Sequence, residues 1–434
     1  MGHLVGKDIY KKLVQKIDAQ AVRVPFNERI YNIVKALYSA EEAEIYVKMP
    51  YGLSTLDRIQ KITGINPARL KNLLEGLSDK GLVIDLFIDG EYHYMPSPIA
   101  VGIFEFTMMR TQGDLDMETW GKLFHHYFED GSLYKANFSN GEQIGPLRTV
   151  PHEESLADHV EILDYERAVH IVESAEKVAV GLCSCRHEKH HADAKECDVP
   201  LDTCLSFGMG AEYLTRHNMA VEVSKSALKE NLARSREYGL VLQADNVQKG
   251  IASICQCCGC CCNLLLGMNK FGYENAIVTS NFIADIEDEK CTGCGKCAKA
   301  CPINAIEMKD DSDPNTKRKK KPEINLDLCI GCGVCGLDCK PSACQLIPRK
   351  KRVIHPETTF ERVILQSLER GALQNQIFDN PENIGNKAMN AILGAFLRLP
   401  PVKSALMSDA LRSRFLGAMR AGVRLQGKGF LTEM

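Results

Sequence analysis

Two hydrophobic periods, one near 3.6 and one near 2, divide this chain into regions of different character. NERIYNIVKALYS carries its apolar residues on one helical face, and STLDRIQKITG and NPARLKNLLEGLSDKGLV predict two more helices joined by a short turn. The last of these has Asn66 to cap it, Pro67 in its first turn and Gly81 just past its end. VIDLFIDGEYHYMP then alternates about Asp89-Gly90, the signature of a tight hairpin. Residues 101–170, which hold the single tryptophan, Trp120, show a mixed helical pattern. VAVGL is a short apolar strand that delivers Cys183 and Cys185 into a polar loop containing Arg186, His187, His190 and His191. A helix is expected to start close to Cys204. VSKSALKENLARSREYGLV predicts an amphipathic helix through Ala227, Leu228, Leu232 and Tyr238, stopped at Gly239, and QADNVQKG a turn after it. Near the C-terminus, Phe360, Ile364, Leu365, Leu368 and Leu373 form a helical stripe, and basic amphipathic helices follow, broken at Pro400-Pro401.

Helix, helix, helix, hairpin over residues 25–110 resembles a winged helix. That resemblance implies a DNA-reading helix at 67–80. Charge argues against it: Arg69, Lys71 and Lys80 are offset by Glu75 and Asp79, and Asp85, Asp89 and Glu91 add acid on the hairpin. Duplex-tracking surfaces are basic on one face, so a structural or protein-docking use is favoured and nucleic acid is the less favoured partner.

With 434 residues the chain has room for several domains, and its net charge of −3 gives no general attraction to nucleic acid or membrane. The opening residues lack the pattern of a secretory signal and no stretch is apolar enough to span a bilayer, so a cytoplasmic location is expected. The tail from Lys387 is basic and could meet an acidic partner or an anionic membrane surface. Neither a Walker A run nor a dinucleotide fingerprint occurs, which would leave flavin or nicotinamide chemistry to a partner.

Cysteine changes the picture. All 19 cysteines fall between residues 183 and 344, in tight groups, whereas a disulfide scaffold would spread them over a short secreted chain. Thiolate ligands kept reduced, as in an anaerobe, are the alternative. A 38-residue repeat carries C-x2-C-x2-C-x3-C twice, at Cys291, Cys294, Cys297, Cys301 and at Cys329, Cys332, Cys335, Cys339, with glycines at 293/331 and 295/333. A cubane needs one thiolate per iron. A tight glycine-rich loop can wrap three, and the fourth must come from elsewhere. This region resembles a bacterial-type ferredoxin domain with two [4Fe–4S] clusters. The resemblance implies one cluster on Cys291, Cys294, Cys297 and Cys339, and the other on Cys329, Cys332, Cys335 and Cys301. Paired zinc knuckles are the competing reading. Two departures stand out: Lys340 separates Cys339 from Pro341, and DDSDPNTKRKKKP is inserted between the runs. Its KRKKK at 317–321 is read as a flexible loop that could steer an acidic partner. Cys344 aligns with Ile306 and is read as core filler.

Ten cysteines remain: Cys183, Cys185, Cys197 and Cys204, then Cys255, Cys257, Cys258, Cys260, Cys261 and Cys262 in ICQCCGCCCN. They could supply two further four-ligand sites, iron–sulfur or zinc, with Cys183, Cys185, Cys197 and Cys204 as one zinc set. Neighbouring side chains diverge, so the second block cannot serve a single site. Residues 160–282 resemble a cysteine-rich module fused to dicluster ferredoxins in anaerobic bacteria. CCG at 257–259 is also similar to motifs of heterodisulfide-reductase-type subunits, whose long-spaced further cysteines are not arranged that way here.

The expected fold is α+β and multidomain: an N-terminal helix (1–24), a winged-helix-like domain (25–110), a helical linker (111–159), a cysteine-rich α/β module (160–282), a ferredoxin-like dicluster domain (283–348) and a helical basic tail (349–434). The expected function is transfer of single electrons to a partner oxidoreductase. The alternatives are a redox-sensing winged-helix regulator and an oxidoreductase subunit with a substrate-reducing cluster at 255–262.

Overall fold

A computed structural model of the protein describes residues 8–113, 115–313, 316 and 318–434. The opening residues 1–7, and Lys317 of the basic run, lie outside the described residues. The N-terminal helix covers Ile9–Asp18, where the Asp8 carboxylate accepts from the Tyr10 and Lys11 amides. Helices follow at Glu28–Leu37, Ala40–Lys48, Leu56–Thr63 and Pro67–Asp79. Asn66 caps the last as expected, accepting from the amides of Ala68 and Arg69. Its Leu70, Leu74 and Leu77 point into a core shared with Ile30, Ile33 and Tyr46. Strands β1 (Ser54–Thr55), β2 (Val83–Ile88) and β3 (Glu91–Pro96) make an antiparallel sheet in the order β1–β3–β2, its hairpin turning at Asp89-Gly90.

The cysteine-rich module is built on one antiparallel six-stranded sheet. Its strands are β4 (Leu147–Val150), β5 (Val178–Gly181), β6 (Cys204–Phe207), β7 (Ala220–Glu222), β8 (Val241–Asp245) and β9 (Ser253–Cys257), in the order β4–β8–β9–β6–β5–β7. Four local expectations are corrected here. The segment read as a helical linker does form helices at Met117–Glu129 and Ser132–Phe138, but it also contributes β4, whose four residues are too few to show a period. Cys204 opens a strand, not a helix, because its backbone is held between β5 and β9; the helix begins only at the left-handed Gly208 and runs Gly208–Arg216. QADNVQKG is strand as far as Asp245, whose carboxylate accepts from the amides of Ala252 and Ser253 to close a longer turn.

The fourth correction concerns SCRHEKHH, which is the helix Ser184–His191 rather than a solvated loop. Its polarity conceals burial. Arg186 and Glu188 are wholly inaccessible, Lys189 pairs with Glu188 at 2.9 Å, and His125 Nδ1 lies 2.9 Å from the same carboxylate. His187 Nδ1 meets the Met108 carbonyl at 2.6 Å, so that histidine is engaged by backbone.

In the ferredoxin region, β10 (Phe282–Ile286) pairs with β13 (Cys344–Pro348) and β11 (Ile306–Asp310) with β12 (Lys320–Ile324). The insertion therefore joins two paired strands, and Lys320 and Lys321 sit in a ladder instead of a flexible loop. Arg318 fastens that strand pair to the first cysteine loop, pairing with Asp311 and with Asp288 (2.9 Å) and donating to the carbonyls of Asp288 (2.8 Å) and Cys291 (3.3 Å). The tail forms helices Thr359–Glu369, Leu373–Ile377, Ile384–Leu397, Pro400–Met407 and Asp409–Leu425, with the expected break at Pro400. Ile364, Leu365, Leu368 and Leu373 pack with Ile144, Leu397 and Leu416, so this stripe faces the protein's own core. No helix among the described residues is long and apolar enough to cross a membrane.

Candidate metal centres

The two ferredoxin loops are placed by glycines. Gly293 and Gly331 both have φ of +69°, and a Cβ on either would lie 2.1 Å from a strand carbonyl, that of Lys320 or of Phe282. Only glycine permits this conformation and this approach together. Around one hollow stand Cys291, Cys294, Cys297 and Cys339; around the other stand Cys301, Cys329, Cys332 and Cys335. Each loop thus receives its fourth sulfur from the opposite run. Lys340 does not disturb this. The Cys344 amide donates to Cys339 Sγ at 3.3 Å, and the Ala305 amide to Cys301 Sγ at 3.2 Å, contacts of the kind that stabilise reduced clusters. Cys344 is buried beside the first hollow, its side chain against Cys335.

The two hollows differ in surroundings. Thr292, Cys294 and Lys296 of the first loop are exposed, whereas every residue from Cys329 to Cys335 is buried. The buried loop is tied to the cysteine-rich module: the His152 amide donates to the Cys332 carbonyl (3.0 Å), Ser155 Oγ to Gly333 (2.7 Å) and Ser280 Oγ to Gly331 (2.7 Å). The imidazole of His152 reaches the Leu240 carbonyl at 2.8 Å, and Leu240 packs against Cys258 and Cys261. A second contact is closer to the ligands. Gly259, in the middle of the six-cysteine block, lies so near Pro302, the residue after Cys301, that a Cβ would stand 2.7 Å from its carbonyl oxygen.

The ten upstream cysteines sort into two sets, but not by order along the chain. Cys197, Cys258, Cys260 and Cys261 place their sulfurs within 4.8 Å of one another. The grouping of Cys183, Cys185, Cys197 and Cys204 as one set is corrected: Cys197 reaches across to the later block, and the other three face elsewhere. Cys204 and Cys255 are register partners on β6 and β9, and Cys257, two residues on, shares their face of the sheet. Cys183 caps the helix carrying Cys185, and Cys262 precedes the helix Asn263–Asn269. These six line one cavity of about 290 Å³. Within it Cys185 and Cys257 each meet Cys262, and Cys204 meets Cys255. The divergence of neighbouring side chains explains the split: Cys257 and Cys262 turn into the cavity, and the three between them turn away.

Burial pushes the Cys183 thiol up to about 12, and hydrogen bonding with neighbouring thiols, together with burial, holds Cys185, Cys255 and Cys262 well above the ordinary range. Left free, these groups stay protonated and inert. A bound metal would strip their protons. The functional residue that sequence reasoning left open is Arg186. Its guanidinium donates to Cys258 Sγ at 3.4 Å from a fully buried position and lies in the field of Cys183 and Cys257. Its place directly after C-S-C was the available signal.

Residues 290–343 match the family model of a 4Fe-4S dicluster domain. Over 78 residues the chain is 32% identical to a component of the ion-translocating oxidoreductase complex of Methanosarcina acetivorans, covering 17% of this chain and 27% of that protein. Over 57 residues it is 37% identical to a component of the NADH-quinone oxidoreductase of Koribacter versatilis, covering 12% of this chain and 38% of that one. The chain thus spans well under half the length of either relative. No solved structure matches. The four-sulfur hollows fit the cofactor the family implies, and residues 290–343 form a dicluster domain for two [4Fe–4S] clusters, with the electron-transfer role that such clusters serve.

Proposed function

We propose that this protein carries electrons inward, from a redox partner at the exposed cluster of Cys291, Cys294, Cys297 and Cys339, through the buried cluster of Cys301, Cys329, Cys332 and Cys335, to a third iron–sulfur centre in the six-thiol cavity. One observation carries the reading: the exposed loop faces solvent with Lys296 beside it, while Pro302, next to Cys301 on the wall of the buried hollow, abuts the cysteine block at Gly259. When bound, the clusters supply one-electron redox chemistry; the chain supplies thiolates, N–H donors to sulfur and exclusion of water. The test is a metal count on anaerobically purified protein. About twelve irons per chain, with a matching count of acid-labile sulfide, support three cubane-sized centres; about eight confine iron to the ferredoxin domain and remove the third centre.

A second reading, that the cavity also reduces a small molecule, is favoured by its far wall. Phe104, Phe106 and Phe128 make it apolar, yet Gln243 and Arg362 line it as well. Gln243 is fully buried and neither amide atom finds a partner among the described residues; Arg362 Nε finds none either. Buried polar groups of this kind are ordinarily satisfied, and a carboxylate on an apolar body would accept from the two donors, Gln243 Nε2 and Arg362 Nε. Benzoate, used as a probe on reduced protein, should shift the EPR signal of the third centre, and Arg362→Leu should abolish that shift. An unchanged spectrum would leave the cavity a relay.

The N-terminal domain reads as a winged helix used for docking rather than for DNA. Arg69 is paired with Glu41, Lys80 with Glu42 and Lys71 with Glu75, so the cations of the would-be recognition helix are neutralised on the spot. Its far end packs on the module: Tyr213 Oη donates to the carbonyls of Ser78 and Val83, and Arg216 pairs with Asp85 at 2.7 Å.

A further inference from the structure

The set Cys197, Cys258, Cys260 and Cys261 differs in kind from the ferredoxin hollows. Cys197 Sγ lies 3.7 Å from Cys258 Sγ and 3.8 Å from Cys261 Sγ, and Cys260 Sγ lies 3.6 Å from each of those two. These separations discriminate among the states that four clustered cysteines can adopt. A disulfide needs sulfurs at about 2.05 Å, far closer than any pair here. A cubane puts each thiolate on a different iron at a different corner, with inorganic sulfide between, so its four ligands stand well apart. A single ion held tetrahedrally with metal–sulfur bonds of about 2.3 Å has sulfur–sulfur edges of about 3.8 Å. The observed edges match the last case.

We propose that these four cysteines bind one zinc ion as a closed, redox-inert structural site. Tetrahedral all-thiolate coordination is the commonest structural zinc arrangement, and thiolate sites of equal geometry hold zinc more tightly than ferrous iron. Charge supports the same assignment. Four thiolates around a divalent cation leave two negative charges in the interior, which require a buried counter-ion. Arg186 provides it. Its partners are the carbonyls of Pro200 (3.1 Å) and Gln256 (3.0 Å), the Thr203 hydroxyl and Cys258 Sγ (3.4 Å), and of these only the sulfur can carry negative charge. A fully buried guanidinium among neutral groups alone would be strongly unfavourable.

The ion accounts for the odd composition of the block. By taking Cys258, Cys260 and Cys261, it fixes the loop between Cys257 and Cys262, so that both of those sulfurs face the six-thiol cavity. It also joins the loop of Cys197 to the one in which Gly259 meets Pro302. Zinc is a pin at the junction of module and ferredoxin, and it cannot trap an electron passing beside it.

The test uses the full-length native protein purified without oxygen or added zinc. Elemental analysis should give one zinc per chain alongside the iron, and absorption at the zinc edge should show four sulfurs at about 2.3 Å with no iron neighbour. Cys260→Ala, at the partly exposed corner, should lower zinc retention at least tenfold against a chelator while leaving the ferredoxin clusters' EPR signals in place. Zinc-free protein with full iron, or an iron-edge signature of a single iron with four sulfurs, would overturn the assignment. The iron count that tests the third cluster is read separately, so either result can fail alone.

Discussion

Cys339→Ala is expected to empty the hollow ringed by Cys291, Cys294 and Cys297 while leaving the cluster of its own run in place. The pairing of hollows dictates this: Cys339 closes the first set and Cys301 the second. Alanine is the better substitution, since a serine oxygen could still reach iron. The variant should lose about four irons of those the native protein holds. Its reduced EPR spectrum should simplify, because the surviving cluster loses its paramagnetic partner within the ferredoxin domain. Cys301→Ala should do the reverse, and the two losses should differ in consequence. The 291–297 loop is exposed, so its emptied site refills with water at little cost. The loop from Cys329 to Cys335 is buried throughout, and without its cluster it leaves a void lined by thiols pushed to the protonated state. Emptying such a cavity costs stability in proportion to its volume, so Cys301→Ala should lower the thermal midpoint markedly more than Cys339→Ala. If Cys301→Ala instead removes the cluster of the 291–297 loop, each run ligates its own cluster and the crossed arrangement is wrong.

The two ferredoxin loops were legible in the sequence because they are local: a fixed cysteine spacing and paired glycines mark them, whereas the exchange of their last cysteines was what the resemblance to a dicluster ferredoxin implied. The N-terminal helices and hairpin were legible for the same reason, through Asn66, Pro67 and Asp89-Gly90. The upstream cysteines were not. Cys197 meets Cys258 across 61 residues, and nothing in either neighbourhood marks that partner, because the pairing is set by the sheet order β8–β9–β6–β5. The helix Ser184–His191 was hidden by composition. Periodicity finds an apolar face, and this helix buries a polar one, satisfied by Glu188, Lys189 and His125 from two elements. The insertion's basic run was similarly misleading: Arg318 is drawn out of solvent by Asp288, just before the first cysteine loop, and by Asp311, and nothing in the run itself marks either partner.

Gly259→Val is expected to leave metal content intact and yet slow the arrival of electrons at the six-thiol cavity by several-fold. Gly259 needs no special backbone conformation; what forbids a larger residue is the Pro302 carbonyl, 2.7 Å from where a Cβ would stand. The backbone of Pro302 cannot yield without moving Cys301, and the block cannot yield without moving Cys258 and Cys260. The interface must therefore open. Electron tunnelling falls steeply with the gap between centres, so a small separation costs rate before it costs ligands. Gly76→Ala serves as the control, since a Cβ there meets nothing within 4 Å and the site lies on a helix of the N-terminal domain. In stopped-flow reduction by a low-potential donor, the ferredoxin clusters of both variants should bleach at the native rate. Only in Gly259→Val should the slower phase, assigned to the cavity centre, lag. Equal rates in all three proteins, with zinc and iron unchanged, would mean that electrons do not cross where the cysteine block touches the buried cluster, and the inward route would have to be abandoned.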